Sequence, residues 1–459
     1  YNGGEVMSRH NHLLITQLKM SLLFSGFNGF GQWPVEQDMI KDFTSVNVKK
    51  YFENQDKIEK FDWSIEWAYN VFILNSKIII KGFSENLEGK SEILSHPNGG
   101  TFTNVSCNDK FLLLFNNQDK NVWKYFLDPD VDQKWKQLPN FLNSERELTG
   151  HGGNGDNTDL NDETILKIVC GVMIIICLTS KGRVFNIPSE ISTENIIGKV
   201  IDVCCGYEHA VLLTDQGSVY TLGGGSRCQL GQGSIDSSAA PHLVEALAGV
   251  EIVKIAAGGW HSCAISSIGD LYTWGWNDRG QLGIRQEPDK ELEDAEKKAT
   301  VSLEDNCFDE CFDTKKNDTK DDLPTPNDVS LGNFEIGKRS QSYVFNDDSK
   351  DKVNKKVKSS ESNEKDFNSH AIPNLIDIYD SNDGKIMELN IVDVSCGSKH
   401  TVIKLDDGSI WGTGCNKYGQ LGFDVETIEN VNHFTMLNVK GKNAILKCGI
   451  WATVLLTLD

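Results

Sequence analysis

Three histidines hold one repeated position in this chain: His209, His261 and His400 each follow a glycine, Gly206, Gly258 or Gly397, by three residues. Imidazole ligates metals and moves protons near neutral pH, so the set invites a metal reading. Equivalent positions on successive repeats, however, face around an axis and not toward a common centre. The expectation is three buried imidazoles, each tying a strand to a neighbouring loop, with no metal held. Cys307 and Cys311 have the spacing of half a zinc site, yet no second pair follows at finger distance. Gly223-Gly-Gly225 could cradle a phosphate, but it stands at a strand exit with no helical pattern behind it, and a turn is expected there. No Ser/His/Asp set and no paired carboxylates stand out, so neither a catalytic residue nor a cofactor is expected.

Recognition chemistry is better represented. Trp274 reads as core, inside a strand, whereas Trp260 and Trp276 fall at strand ends. Large aromatics there either pack between elements or anchor a partner. Arg227, Arg279 and Tyr418 occupy equivalent loop positions, and Phe30 matches them near the N-terminus. Phe30, Arg227, Trp260, Trp276, Arg279 and Tyr418 form the candidate partner-binding set, because loops on a rigid scaffold are where recognition usually resides. Basic and aromatic tips on an acidic chain suit an acidic segment of a partner; ordinary solvated loop tips are the other reading.

These residues must be positioned by a repeat. Three segments align without gaps, starting at Gly206, Gly258 and Gly397 and ending in Gln229-Leu-Gly231, Gln281-Leu-Gly283 and Gln420-Leu-Gly422. Each reads as a short apolar strand, a glycine turn at Gly217, Gly269 or Gly408, a returning strand, and a glycine exit at Gly223, Gly275 or Gly414. A hairpin of this kind cannot bury both faces alone, but hairpins stacked around an axis can. The same phase finds weaker copies near Ile65, Asn108, Gly171 and Gly449. The seven anchors predict an all-β, seven-bladed β-propeller.

The phase also predicts how the ring closes. The last copy, from Gly449, runs out at Asp459 just before its turn, while Gly26-Phe-Asn-Gly-Phe-Gly-Gln32 matches the exit of a repeat. Counting back from Gly26 brings Met20 to the point that Asp459 reaches. The N-terminal strand is therefore expected to complete the last blade, removing exposed sheet edges. Met20 is taken as the natural start and residues 1–19 as a non-structural extension. The propeller spans 20–284 and 371–459. Between them, 285–370 is rich in Asp, Glu, Lys, Ser and Asn and is expected to be a disordered acidic insertion; 143–162 is a smaller one.

Composition limits the partners. The formal net charge is −21 over 459 residues. Such a surface repels phosphate backbones, so direct binding of nucleic acid is not expected, and basic proteins such as histones are the better match. Most of the twelve cysteines lie in apolar strand-like runs, which reads as buried free thiol in a reducing compartment. No apolar stretch is long enough to span a bilayer, and a monomer is expected.

Gly258-Gly-Trp-His-Ser262, Trp274-Gly-Trp-Asn277 with Gly280-Gln-Leu-Gly283, Cys396-Gly-Ser-Lys-His400 and Gly206-Tyr-Glu-His209 resemble the repeats of the regulator of chromosome condensation family. The resemblance is strongest over 200–284 and 391–459. It implies a non-enzymatic, chromatin-linked adaptor in the nucleus, with the cytoplasm as a second location. It further implies a protein partner such as a jumonji-type histone-modifying oxygenase, and a role in chromosome segregation. Other members imply an alternative, a guanine-nucleotide exchange factor for a Ras-like small GTPase. The basic run Lys352-Val-Asn-Lys-Lys-Val-Lys358 resembles a nuclear import signal or is a charge fluctuation in a Lys-rich linker.

Overall fold

The computed structural model describes residues 20–458 apart from 36, 47–51, 53–60, 76, 83–90, 119, 129, 144–162, 286–368 and 381–383. The expectations placed on 1–19, on 286–368 (including Cys307, Cys311 and the Lys352–Lys358 run) and on 144–162 lie outside these residues. Strands form seven antiparallel sheets of four strands each. The only helices among the described residues are two single turns, Phe141–Asn143 and Glu245–Leu247. None is long and apolar enough to cross a membrane.

Six blades follow in chain order: I (61–94), II (104–137), III (165–191), IV (200–243), V (252–376) and VI (391–440). Blade VII is assembled from both ends of the chain, in the order Met39–Val46, Met20–Phe27, Ala452–Leu458, Ile445–Cys448. Met20 pairs with Leu458 and Gly26 with Ala452, so head and tail meet where the repeat phase placed them. One detail exceeds the expectation. The N-terminus supplies two strands, because Met39–Val46 adds the outer edge beyond Met20–Phe27.

Apolar side chains explain why hairpins of this phase close into a ring. Seven buried clusters are found, and each draws on two adjacent blades. Leu22, Phe24 and Val454 of blade VII pack with Phe61, Trp63 and Phe72 of blade I. Val402 and Ile410 of blade VI pack with Leu446 and Leu455 of blade VII. The core is therefore not central; it lies between blades, and seven boundaries make a closed circle. The degenerate copies fold because this burial survives where the glycine motif does not: Phe111–Phe115 in blade II is buried throughout.

The exit glycine is a backbone requirement. Gly275 has φ +104, and a Cβ there would lie 2.5 Å from the carbonyl oxygen of Trp260. Gly26, Gly82, Gly223 and Gly414 share the positive φ, a conformation that costs a β-carbon-bearing residue steric strain.

Within each blade, strands run outward from the axis. The innermost strands of blades III to VI share an irregularity in their pairing, between Ile165 and Lys167, Val200 and Asp202, Ile252 and Lys254, and Ile391 and Asp393. Residues 286–368 are inserted between the third strand of blade V, Leu271–Trp276, and the fourth, Ser369–Ile376. Trp276 pairs directly with Ser369, so the chain re-enters the blade at the end of the third strand, after the exit loop 277–285 and the insertion.

Candidate functional site

Antiparallel winding puts the connections after the first and third strands of every blade on one face. Backbone bonds between equivalent connections ring that face: Tyr207 N–H to Gly259 O (3.0 Å), Gly259 N–H to Ser398 O (3.0 Å), Ser398 N–H to Ile450 O (3.1 Å). The repeated histidine begins the second strand here. Each is fully buried and reaches the next blade: His209 Nε2 to Ser262 Oγ (2.8 Å), His261 Nε2 to Thr401 Oγ1 (2.9 Å), His400 Nε2 to Thr453 Oγ1 (3.3 Å). The three hydroxyls donate to the carbonyls of Gln229, Gln281 and Gln420 at 3.0, 2.7 and 2.6 Å. A hydroxyl has one proton, so the imidazole must be the donor, and Nε2 carries the hydrogen. Burial pulls the pKa of His209 and His400 down to about 3, which keeps these rings neutral.

The glycine three residues earlier makes room for the ring. A Cβ on Gly258 would lie 2.1 Å from His261 Cε1 and 2.4 Å from the Gly397 carbonyl; Gly206 and Gly397 meet His209 and His400 in the same way. Gly258→Ala is expected to destabilise the protein by about 3 kcal/mol, the upper range for overpacking a dense interior. A urea titration against the parent would read it, and an unchanged midpoint would show that the blade boundary can yield.

The exit loops are organised by the repeated glutamine. The backbone N–H groups of Phe30, Arg227, Arg279 and Tyr418 each donate to the glutamine side chain two residues on, Gln32, Gln229, Gln281 and Gln420, at 3.1, 2.8, 2.8 and 2.9 Å. Four of the six candidate recognition residues thus project from one fixed backbone geometry.

Their side chains divide into two clusters. In the first, the Arg227 guanidinium lies 3.7 Å from the Trp276 ring centre and 4.5 Å from that of Trp260. Lys399 Nζ sits 4.6 Å from the Trp276 ring and 3.0 Å from Asp278 Oδ2. Arg279 joins through the same carboxylate at 3.6 Å. Trp260 itself is buried against Tyr207, centroids 4.9 Å apart. In the second cluster, Phe27 stands edge-on to Phe30, Tyr418 and Trp451, Tyr418 stacks on Trp451 at 4.5 Å, and Trp67 touches both Phe30 and Trp451. Tyr207, Lys399, Trp67, Trp451 and Phe27 were not singled out from sequence. A signal existed for three of them: Trp67, Lys399 and Trp451 hold the position before the histidine slot, as Trp260 does.

The axial strands carry charge as well, but it is matched. Lys167 pairs with Asp202 at 2.8 Å, Lys254 pairs with Asp393, and Lys447 donates to the Trp63 carbonyl. Asp62 accepts the backbone N–H groups of Trp63 and Val105. Ten described cysteines are free thiols. Burial pushes Cys170 and Cys448 up to about 12, which leaves them protonated and poorly nucleophilic at neutral pH.

Seven four-stranded blades, a glycine–histidine signature and a Gln-Leu-Gly exit define a class, and a family model for the regulator of chromosome condensation (RCC1) repeat matches residues 216–265 and 269–296. A second model of that repeat matches 200–228, 252–281 and 391–420. The chain is a seven-bladed propeller that carries regulator of chromosome condensation repeats within residues 200–296 and 391–420. It is 31% identical over 262 residues to human RCC1 domain-containing protein 1, a match covering 55% of this chain and 55% of that protein; the chain thus spans about half the length of this curated relative. Among solved structures, it resembles yeast RCC1 (Prp20) bound to Kap60, with TM-score 0.61, 15% identity, and coverage of 98% of this chain and 91% of that one. A second structure of Prp20p from Saccharomyces cerevisiae, described with its binding properties to Gsp1p and histones, gives 0.59, 14%, 97% and 93%. At these identities the likeness is one of fold.

Proposed function

We propose that this propeller is a non-catalytic docking module that holds a protein partner on its loop face. One observation carries the reading. Cationic and aromatic groups (Arg227, Trp276, Lys399, Arg279) are gathered at the ends of rigid strands on that face, while Lys167, Asp202, Lys254, Asp393, Lys447 and Asp62 of the axial strands are held by one another or by backbone groups. A cation stacked on an indole presents a flat, pre-ordered surface, with little entropy left to lose on binding. The chemistry suits an acidic or aromatic partner segment. Together with the repeat's resemblance, this supports a nuclear, chromatin-linked adaptor that engages a jumonji-type histone-modifying oxygenase and acts in chromosome segregation.

Arg227→Ala combined with Lys399→Ala is expected to weaken capture of that oxygenase about tenfold, the size of one moderate contact in a protein interface. The melting temperature should stay close to the parent's. Trp260→Ala should instead lower the melting temperature, since its ring is packed between blades. Equal capture of the oxygenase by parent and double variant would remove this face from the proposal.

The fold likeness to Prp20 keeps a second reading in view, exchange-factor activity on a Ras-like small GTPase. Nucleotide release measured on a panel of such GTPases separates the two. Acceleration by orders of magnitude would replace the adaptor reading.

A further inference from the structure

Cys263 and Cys396 face each other across the boundary of blades V and VI, sulfur to sulfur 3.5 Å, although 133 residues separate them in the chain. A ring nitrogen of His261 and the two sulfurs lie within 4.8 Å of one another. The repeat accounts for the histidine but not for the sulfurs. His209, in the same slot of blade IV, has Val211 and Ala257 at the two matching positions. His400, in blade VI, has Val402 and Cys448. Among the described residues, only around His261 do two thiols and an imidazole coincide.

The hydrogen bonding leaves this imidazole able to ligate. Thr401 gives its single proton to the Gln281 carbonyl, so it accepts from His261 Nε2. In the neutral ring the lone pair is then on Nδ1, which is buried and makes no hydrogen bond, as in His209 and His400. An N–H held by a neighbouring hydroxyl, with the other nitrogen open, is the usual state of a metal-bound histidine.

We propose that His261, Cys263 and Cys396 form a binding site for Zn²⁺. Two thiolates on one tetrahedral zinc stand roughly 3.8 Å apart, given Zn–S bonds of about 2.3 Å; the two sulfurs need move only slightly. Two thiolates neutralise the dication, so a site with fully buried His261 and Cys263 carries no net charge. Cys396 lies on the innermost strand of blade VI and is half-buried, which leaves the axial side for a water as the fourth ligand. Each Zn²⁺ bound replaces two thiol protons, which pass to solvent.

The test uses the full chain, reduced, stripped with chelator and titrated with Zn²⁺. Bound metal is counted by native mass spectrometry and released protons in weak buffer. One equivalent is expected, with a higher melting temperature and proton release that scales with metal uptake. Cys263→Val and Cys396→Ala place at each position a residue the repeat itself carries there, so both should fold; each is expected to abolish the uptake and the thermal shift. Cys307→Ser combined with Cys311→Ser should leave both intact. Absence of metal in the parent chain, equal uptake by Cys263→Val or by Cys396→Ala, or loss in the Cys307/Cys311 variant would each overturn the proposal.

Discussion

Deleting residues 20–33 is expected to abolish the cooperative unfolding transition rather than merely lower its midpoint. Met20–Phe27 is an interior strand, bonded to Ala452–Leu458 on one side and Met39–Val46 on the other, so its loss strands the outer one. The same segment supplies Leu22, Phe24 and Trp33, each at most 1% exposed. Phe24 stacks on Trp33 at 4.5 Å in the cluster that joins blade VII to blade I. Phe24→Ala alone should cost about 4 kcal/mol, typical for truncating a buried phenylalanine. Ser25 ties the strand across the other boundary, donating to the Gly419 carbonyl of blade VI. Calorimetry of the deletion variant decides the matter. A single sharp transition at the parental temperature would show that the ring closes without this strand.

The second large effect is acid sensitivity. His209 and His400 titrate near 3 in the folded chain, against about 6.5 when unfolded. The unfolded chain binds the proton more readily, so stability is complete above pH 6.5 and declines as pH falls toward 3. At pH 5 the two together should cost about 4 kcal/mol. Burial and the Asp109 carboxylate hold Glu66 well above the usual carboxylate range, and this group acts in the opposite sense, favouring the fold as it gains its proton. Urea midpoints at pH 7.5, 6 and 5 should therefore fall steeply in the parent. They should fall less steeply in His209→Gln or His400→Gln. A parent curve that is level between pH 7.5 and 5 would mean that these rings are solvated or charged.

Much of this was legible because the repeat is a ruler. Met20 opposite Leu458, the exit glycines and the histidine slot all follow from spacing, since each is a local backbone requirement repeated at fixed distance. The outer strands were not legible. Met39–Val46, Ser91–Leu94 and Trp135–Gln137 lie at blade edges, where partial exposure removes the pressure for a recognisable pattern. The division of the recognition residues was hidden for another reason. Phe30, Arg227, Arg279 and Tyr418 share a slot, but what each touches is set by the preceding-histidine position of a neighbouring blade, far off in sequence. Tyr418 meets Trp451 and Phe27, whereas Arg227 meets Trp260 and Trp276. Cys263 and Cys396 illustrate the same limit, being one blade apart in space and separated by the whole insertion in the chain.

The strand that follows residues 286–368, Ser369–Ile376, is the outer edge of blade V, and this placement has a mechanical meaning. Tension applied at Ser369 would draw it from Trp276 at the open end of their ladder, loading its hydrogen bonds one after another, as a zipper is loaded. Ser369–Ile376 is thus the strand that would yield first under pull, and the rest of the wheel would feel little of the force.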